Sequence, residues 1–325
     1  MYERETNCGG EKEKIEVMDA MKAVRIHSFG GADCLRFEEA PEPKPASDEV
    51  VVKIKTAAVN PVDTKIRAGS FPRFVPGFPA ILGRDMSGVV VEAGADVSDF
   101  EIGDEVFGML DYERGTYAEY TVASARELAL KPDGLGHEEA GAIGVAAMTA
   151  WQSLFEFGKL RRGQRVLVHG ASGGVGHYAV QFAAWCGAKV SGTCSAADME
   201  FVRGLGAEIA IDYKAGRFEE ELKDMDLVVD LIAGETRERS WQVLRPGGIL
   251  VSTLPGPKPE GRTDVSGREV LVHSDPAQLA KIGSLMEEGK VKAHIGGVFP
   301  LAETRAAHLF LENDHARGKI VLAVS

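Results

Sequence analysis

Between Lys22 and Val122 the apolar residues come in short β-branched or alternating runs: Lys22-Ala-Val-Arg-Ile26, Glu49-Val-Val-Val-Lys-Ile-Lys55, Val89-Val-Val-Glu-Ala-Gly94, Glu105-Val-Phe-Gly108 and Tyr117-Ala-Glu-Tyr-Thr-Val122. Glycines punctuate them, and Pro41-Glu-Pro-Lys-Pro45 separates the first two with residues that cannot sit in a central strand. This part of the chain predicts a compact, largely antiparallel β domain. Further on, the apolar runs are continuous: Arg165-Val-Leu-Val-His169, Lys189-Val-Ser-Gly-Thr-Cys194, Ile209-Ala-Ile-Asp-Tyr213, Leu227-Val-Val-Asp-Leu-Ile232 and Ile249-Leu-Val-Ser-Thr253. Strands of this kind need cover on both faces, and helix-length segments lie between them. The expected fold class is α/β, with a doubly wound parallel sheet following the β-rich domain.

The first of these parallel strands stops at a cluster of small residues, Gly170-Ala171-Ser172-Gly173-Gly174-Val175-Gly176, and the chain restarts as the helical pattern Tyr178-Ala-Val-Gln-Phe-Ala-Ala-Trp185. Ala171, Gly173 and Gly176 hold the spacing of a dinucleotide-binding loop, where small residues let backbone N–H groups and a helix N-terminus approach a pyrophosphate. The same letters, Gly170-Ala-Ser172-Gly-Gly174, also match the turn that presents a nucleophilic serine in α/β-hydrolases. A serine hydrolase using Ser172 is therefore the rival from another class, although the strand rhythm after Gly176 favours the nucleotide.

The net charge of −12 over 325 residues opposes a nucleic-acid surface, and no apolar stretch is long enough to span a bilayer. Cys8, Cys34, Cys186 and Cys194 lack paired spacing, which suits a reducing, cytoplasmic setting. Residues 1–20 are polar and have neither a secretory nor a transit pattern, so a disordered leader is expected there.

Met21-Lys-Ala-Val, Ala58-Val-Asn-Pro-Val-Asp63, Gly83-Arg-Asp-Met-Ser-Gly-Val-Val90, Gly103-Asp-Glu-Val-Phe-Gly108, Ala147-Met-Thr-Ala-Trp151, the glycine loop and Gly318-Lys-Ile-Val321 follow one another in an order that resembles the medium-chain dehydrogenase/reductase superfamily, in its zinc-independent quinone oxidoreductase branch. The resemblance covers about residues 21 to 325. It implies a GroES-like catalytic domain, residues 21–143 and 284–325, and a Rossmann nucleotide domain, residues 144–283, with Pro276 to Gly289 as the returning helix and the active site in the cleft between domains. Zinc enzymes of the superfamily carry a cysteine where this chain has Asn60 and Gly-His-Glu where it has Gly83-Arg84-Asp85. An amide and a carboxylate are a poor tetrahedral Zn²⁺ set, so no metal is expected.

Hydride transfer without a Lewis acid suits an acceptor whose conjugation spreads the new charge, a quinone or an α,β-unsaturated carbonyl. The resemblance makes Asn60 the catalytic polar contact near the nicotinamide and substrate oxygen, with Asp63 holding its loop. It gives cofactor-binding roles to Asn60, to Thr149 at the start of a helix, to Ala171, Ser172, Gly173, Gly174, Val175 and Gly176, and to Thr193, Ser195, Tyr213, Thr253, Leu254 and Val298. Phe71 and Phe74 are the expected apolar wall of the substrate pocket. Related enoyl-thioester reductases have a tyrosine as proposed proton donor in the Gly69-Ser-Phe71-Pro72 segment, and phenylalanine has no proton to give. The neutral Thr193-Cys-Ser-Ala-Ala-Asp198 segment favours NADPH over NADH, with Arg203 or Tyr213 as candidates to hold the 2′-phosphate. Besides the hydrolase, an enoyl-thioester reductase and a non-catalytic NADPH-binding protein stay open. The edge segment Arg268 to Ser274, with Val270 and Val272 alternating, is the expected homodimer contact.

Overall fold

The computed structural model describes residues 20–259, 261–314 and 316–324. The leader expected at residues 1–20 lies outside the described residues except for Ala20, which opens the first strand. β1 (Ala20–Ile26) pairs antiparallel with β2 (Arg36–Pro41) and with β4 (Ala80–Ile81) in a three-stranded sheet. β3 (Glu49–Val59) is the axis of a seven-stranded sheet. On one side follow β5 (Asp85–Ala93), β6 (Glu105–Met109) and β8 (Leu128–Leu130); β7 (Tyr120–Ser124) pairs with the first residues of β3. The last residues of β3 pair with β16 (Lys319–Ala323), which lies parallel to β15 (Ile295–Pro300). Ile320 stands opposite Val59, so the closing strand begins beside Asn60.

A six-stranded parallel sheet carries the order β11 (Ile209–Asp212), β10 (Lys189–Cys194), β9 (Arg165–His169), β12 (Met225–Asp230), β13 (Leu244–Ser252) and β14 (Ser266–Glu269). Strand order reverses around β9, and a crevice opens beyond its C-terminal end, which is where the glycine loop lies. The helix Gly176–Cys186 follows the loop and ends at Gly187, whose φ of +81° suits only glycine at low cost. The architecture is mixed α/β, a GroES-like β domain joined to a Rossmann-like parallel sheet. The helix Pro276–Glu287 ties the two together, burying Leu279, Ile282 and Leu285 in one core with Val166 and Val168 of the parallel sheet and with Phe107 and Met109 of β6. No described helix is long and apolar enough to cross a membrane.

Three elements differ from the sequence expectation. Tyr117–Val122 is not one strand: the carbonyl of Tyr117 accepts from Val24 of β1, and Glu119 exchanges bonds with Lys22 and Ile54, so the chain passes between sheets and β7 starts only at Tyr120. Thr149 does not begin a helix but sits inside Gly144–Trp151, because the apolar residues before it are already buried and Asp85 caps Val145 N from outside the helix. The edge strand is Ser266–Glu269 rather than 268–274. Val270 N still bonds to Ser252 O, but the Gln152 side chain then captures both N and O of His273 and draws the chain off the sheet. Val270 and Val272 pack inward while Leu271 is 69% exposed, so the alternation survives beyond the strand.

Candidate functional site

The end of β9 carries the backbone strain of the loop. Gly170 has φ +67°, whereas Gly173 is not among the glycines with positive φ, so the left-handed turn of the loop falls on Gly170. A Cβ on Gly176 would lie 2.1 Å from Gly170 O, so close packing of helix on strand forbids a side chain there. At Gly173 and Gly174 the nearest atoms to such a Cβ are 3.4 Å away, and both glycines line a cleft of about 380 Å³ shared with Asn60, Val175 and Lys319. Two bare glycines facing open space beside a helix N-terminus fit the pyrophosphate of a dinucleotide.

Across this cleft β3 ends and the helix Pro61–Arg67 begins, with Asn60 as its N-cap residue and Pro61 as its first turn. Asn60 Nδ2 donates to Asp85 Oδ2 at 3.0 Å, and its Oδ1 accepts from Lys319 Nζ at 2.6 Å. Lys319 also reaches Asp85 at 3.2 Å, and Asp85 Oδ1 accepts from Val145 N at 2.6 Å. Asn60, Asp85 and Lys319 are all buried, so the amide is oriented by an ion pair shielded from water. One Nδ2 hydrogen remains uncommitted. Asp63 Oδ2 accepts from Asn60 N and from Tyr117 Oη, each at 2.8 Å. Burial pushes the Asp63 carboxyl up to about 6 against the pull of those two bonds, and the nearby Asp85 charge adds to the rise. Asp63 fixes the Asn60 loop, the role the sequence assigns it.

At the end of β10, Asp198 Oδ2 accepts from Ser195 Oγ at 2.7 Å and from Ser172 Oγ at 3.2 Å, while its Oδ1 pairs with the Arg317 guanidinium. Burial would raise the Asp198 carboxyl; the bonds from Ser195, Arg317 and Ser172 together with the Arg317 charge hold it below the ordinary carboxylate range. Arg317 also donates to Ala197 O, and Gly318 N donates to Ser172 O at 3.0 Å, which closes the catalytic domain against the glycine loop. Ser172 has no imidazole partner among the described residues. His177 is tied to Gly173 O and His294 N, and His169 to Thr193 and Ser240; burial lowers both rings to about 4. Among the described residues a Ser172 nucleophile has no histidine base.

The structure brings Asn60, Gly173, Gly174 and Val175 to one cleft and Ser172 and Ser195 together on Asp198; Ala171 is buried. Thr193 Oγ1 is committed to His169, Arg203 to Glu200, and Tyr213 is exposed at the end of β11. Thr253 and Leu254 close the end of β13, where Thr253 N bonds to Asp230 O and Leu254 O accepts from Arg237. Val298 departs from its expected place: it is half-exposed and lines a separate surface groove with Lys22, Phe37 and Leu301, because β15 runs on the far side of β16 from Asn60. Phe71 and Phe74 are half-buried neighbours, their rings 5.9 Å apart. Arg317 and Lys319 pair with Asp198 and Asp85, and the sequence assigns neither a site role. The signal was present as Arg317-Gly-Lys319 at the head of the closing strand.

Residues 46–133 match the family model for the alcohol dehydrogenase GroES-like domain, and residues 205–322 the model described as zinc-binding dehydrogenase. Among the described residues no group of three or more His, Cys, Asp or Glu is placed to hold a metal ion. The human mitochondrial NAD(P)H oxidoreductase RTN4IP1 is 36% identical, over 94% of this chain and 89% of that one. The chloroplastic NADPH-dependent alkenal/one oxidoreductase of Arabidopsis thaliana is 34% identical, over 93% and 79%. Among solved structures, the quinone oxidoreductase of Coxiella burnetii superposes with a TM-score of 0.88 at 32% identity, covering 94% of this chain and all of that one. A glycine-loop cleft closed by a β domain, family models at both ends and full-length relatives of this kind lead to one conclusion: the chain is an oxidoreductase of the medium-chain dehydrogenase/reductase superfamily, similar to its quinone oxidoreductases, and uses a nicotinamide cofactor.

Proposed function

We propose that the protein is a metal-independent reductase that takes hydride from NADPH and delivers it to a quinone or an α,β-unsaturated carbonyl, and that it works as a homodimer. The observation that carries this reading is Asn60 and Lys319 lining the same cleft as Gly173 and Gly174, with buried Asp85 bonded to both. When bound, the cofactor supplies the hydride. Asn60 and Asp85, which stand where zinc relatives have ligand-bearing motifs, here bind each other and an ammonium, and a divalent cation among them would meet that charge directly. The remaining Asn60 hydrogen can hold a substrate oxygen as charge develops on it, in an orientation already fixed by Asp85, Lys319 and Asp63. A conjugated acceptor lowers the charge any one donor must stabilise.

Preference for NADPH is supported at Asp198. Left unpaired, this carboxylate would repel a 2′-phosphate; Arg317 neutralises it, and the Ser195 and Ser172 hydroxyls donate to it as well. The Ser266–Glu269 edge and exposed Leu271 support the dimer. Fluorescence titration with NADPH and NADH, elemental analysis for zinc, and turnover on a panel of quinones and enones test the proposal. The expected result is tighter NADPH, less than stoichiometric zinc and activity insensitive to chelators. Cofactor binding with no turnover on any acceptor would instead mark a non-catalytic binder.

A further inference from the structure

Five cations are buried among the described residues, and four have a carboxylate partner: Arg67 with Glu312, Lys131 with Glu105, Arg237 with Asp230 and Lys319 with Asp85. Arg84 has none. It is 3% exposed; its Nε donates to Leu110 O at 2.7 Å, and its buried Nη1 has no hydrogen-bond partner. Burying a charge without a counter-ion is costly, and the neighbouring Asp85 already serves Lys319. Such a group calls for a further acceptor.

The surroundings point to what that is. Asp85 turns toward Asn60 and Lys319, and Arg84, one residue earlier, turns to the other side of the strand end. There its guanidinium carbon lies 4.0 Å from the Tyr112 ring centre; Tyr112 stacks on Phe74 with centroids 3.8 Å apart, and Phe74 meets Phe71. Phe71, Phe74 and Tyr112 are all half-buried, so this aromatic ladder joins the surface to the guanidinium, and Arg73 lies 4.8 Å from the Phe74 ring centre. Thr116 Oγ1, fully buried against Gly83, is also unpartnered. Flat apolar rings ending in an unpaired guanidinium suit a planar conjugated molecule with an acidic end.

We propose that Arg84 is a specificity-determining residue that binds a substrate carboxylate, and that the preferred acceptors are α,β-unsaturated ketones carrying a carboxylate, seated with their planar portion against the edge of the Tyr112–Phe74 stack. This rests on the reductase reading above. The test uses the full chain with NADPH, comparing 4-oxo-4-phenylbut-2-enoate with its methyl ester. A hydrogen-bonded charge contact of this kind is expected to favour the acid over the ester by about tenfold or more in kcat/KM. In Arg84→Gln that ratio should fall to near one, mostly through KM, and in Arg84→Lys it should be intermediate; NADPH titration reports that each variant is folded. A wild type indifferent to the carboxylate, or a variant that loses acid and ester alike, overturns the proposal. Calorimetry with the saturated 4-oxo-4-phenylbutanoate in the presence of NADP⁺ separates it from the reductase reading: if no acceptor is ever reduced, binding by the wild type but not by Arg84→Gln still supports the subsite, and absence of binding sinks it.

Discussion

Asp85 and Lys319 form a charge pair with 0% and 3% of their side chains exposed, which makes their worth a matter of removal rather than presence. Lys319→Met leaves a buried carboxylate with only Asn60 and Val145 N as donors and should cost about 3–5 kcal/mol in urea unfolding. Lys319→Met with Asp85→Asn removes both charges and should recover most of that loss. If the double variant is no more stable than the single one, packing rather than charge is the cause. Asp63 titrates in the opposite sense to a typical carboxylate, since its folded value of about 6 lies above its ordinary 3.8. Its contribution to stability is complete below the lower value and lost as pH rises through the upper one. Asp63→Asn keeps an acceptor oxygen for Asn60 N and Tyr117 Oη but cannot ionise. Between about pH 4 and 6 the wild type should therefore lose on the order of 2–3 kcal/mol relative to the variant. A difference in unfolding free energy that stays flat with pH would show the carboxyl to be better solvated than its burial indicates.

At the scale of elements, the strand–loop–helix at Arg165–Cys186 divides its glycines by task. Gly173→Val should leave the melting temperature within a few degrees of wild type yet abolish NADPH binding by titration, because its side chain enters the cleft and not the core. Gly176→Ala should cost both, since its Cβ would strike Gly170 O. A Gly176→Ala protein of unchanged stability would mean the helix can draw back from β9. The five parallel strands from Arg165 to Thr253 were legible because continuous β-branched runs between helix-length segments have few other homes. β7 was legible only in part. Periodicity cannot say that Glu119 bonds to β1 through its N and to β3 through its O, a choice made by Lys22, nearly a hundred residues earlier, and by Ile54.

The whole molecule assembles its site from remote stretches: Asn60 from the end of β3, Asp85 at the head of β5, the loop after β9, Asp198 beyond β10, and Arg317 to Lys319 at the start of the closing strand. The motifs at Asn60 and Gly173 were readable one at a time. Lys319 and Arg317 were not, because their meaning comes from the antiparallel register of β16 on β3, which brings residue 319 to residue 60. The same scale governs assembly. Leu271→Lys puts a charge at the exposed position beside the β14 edge without touching the Val270 N to Ser252 O bond, and should shift a dimer toward monomer by light scattering. A dimer unaffected by this change uses another face. The central claim, that this cleft moves hydride from a reduced nicotinamide to a conjugated acceptor, is tested most directly by turnover with NADPH deuterated at C4, each of the two hydrogens labelled in turn, followed by mass spectrometry and NMR of a reduced enone. The account predicts one deuterium, from one of the two labelled forms only, at the carbon β to the carbonyl; consumption of NADPH with no deuterium in the product from either form, or deuterium at the carbonyl carbon, would contradict it.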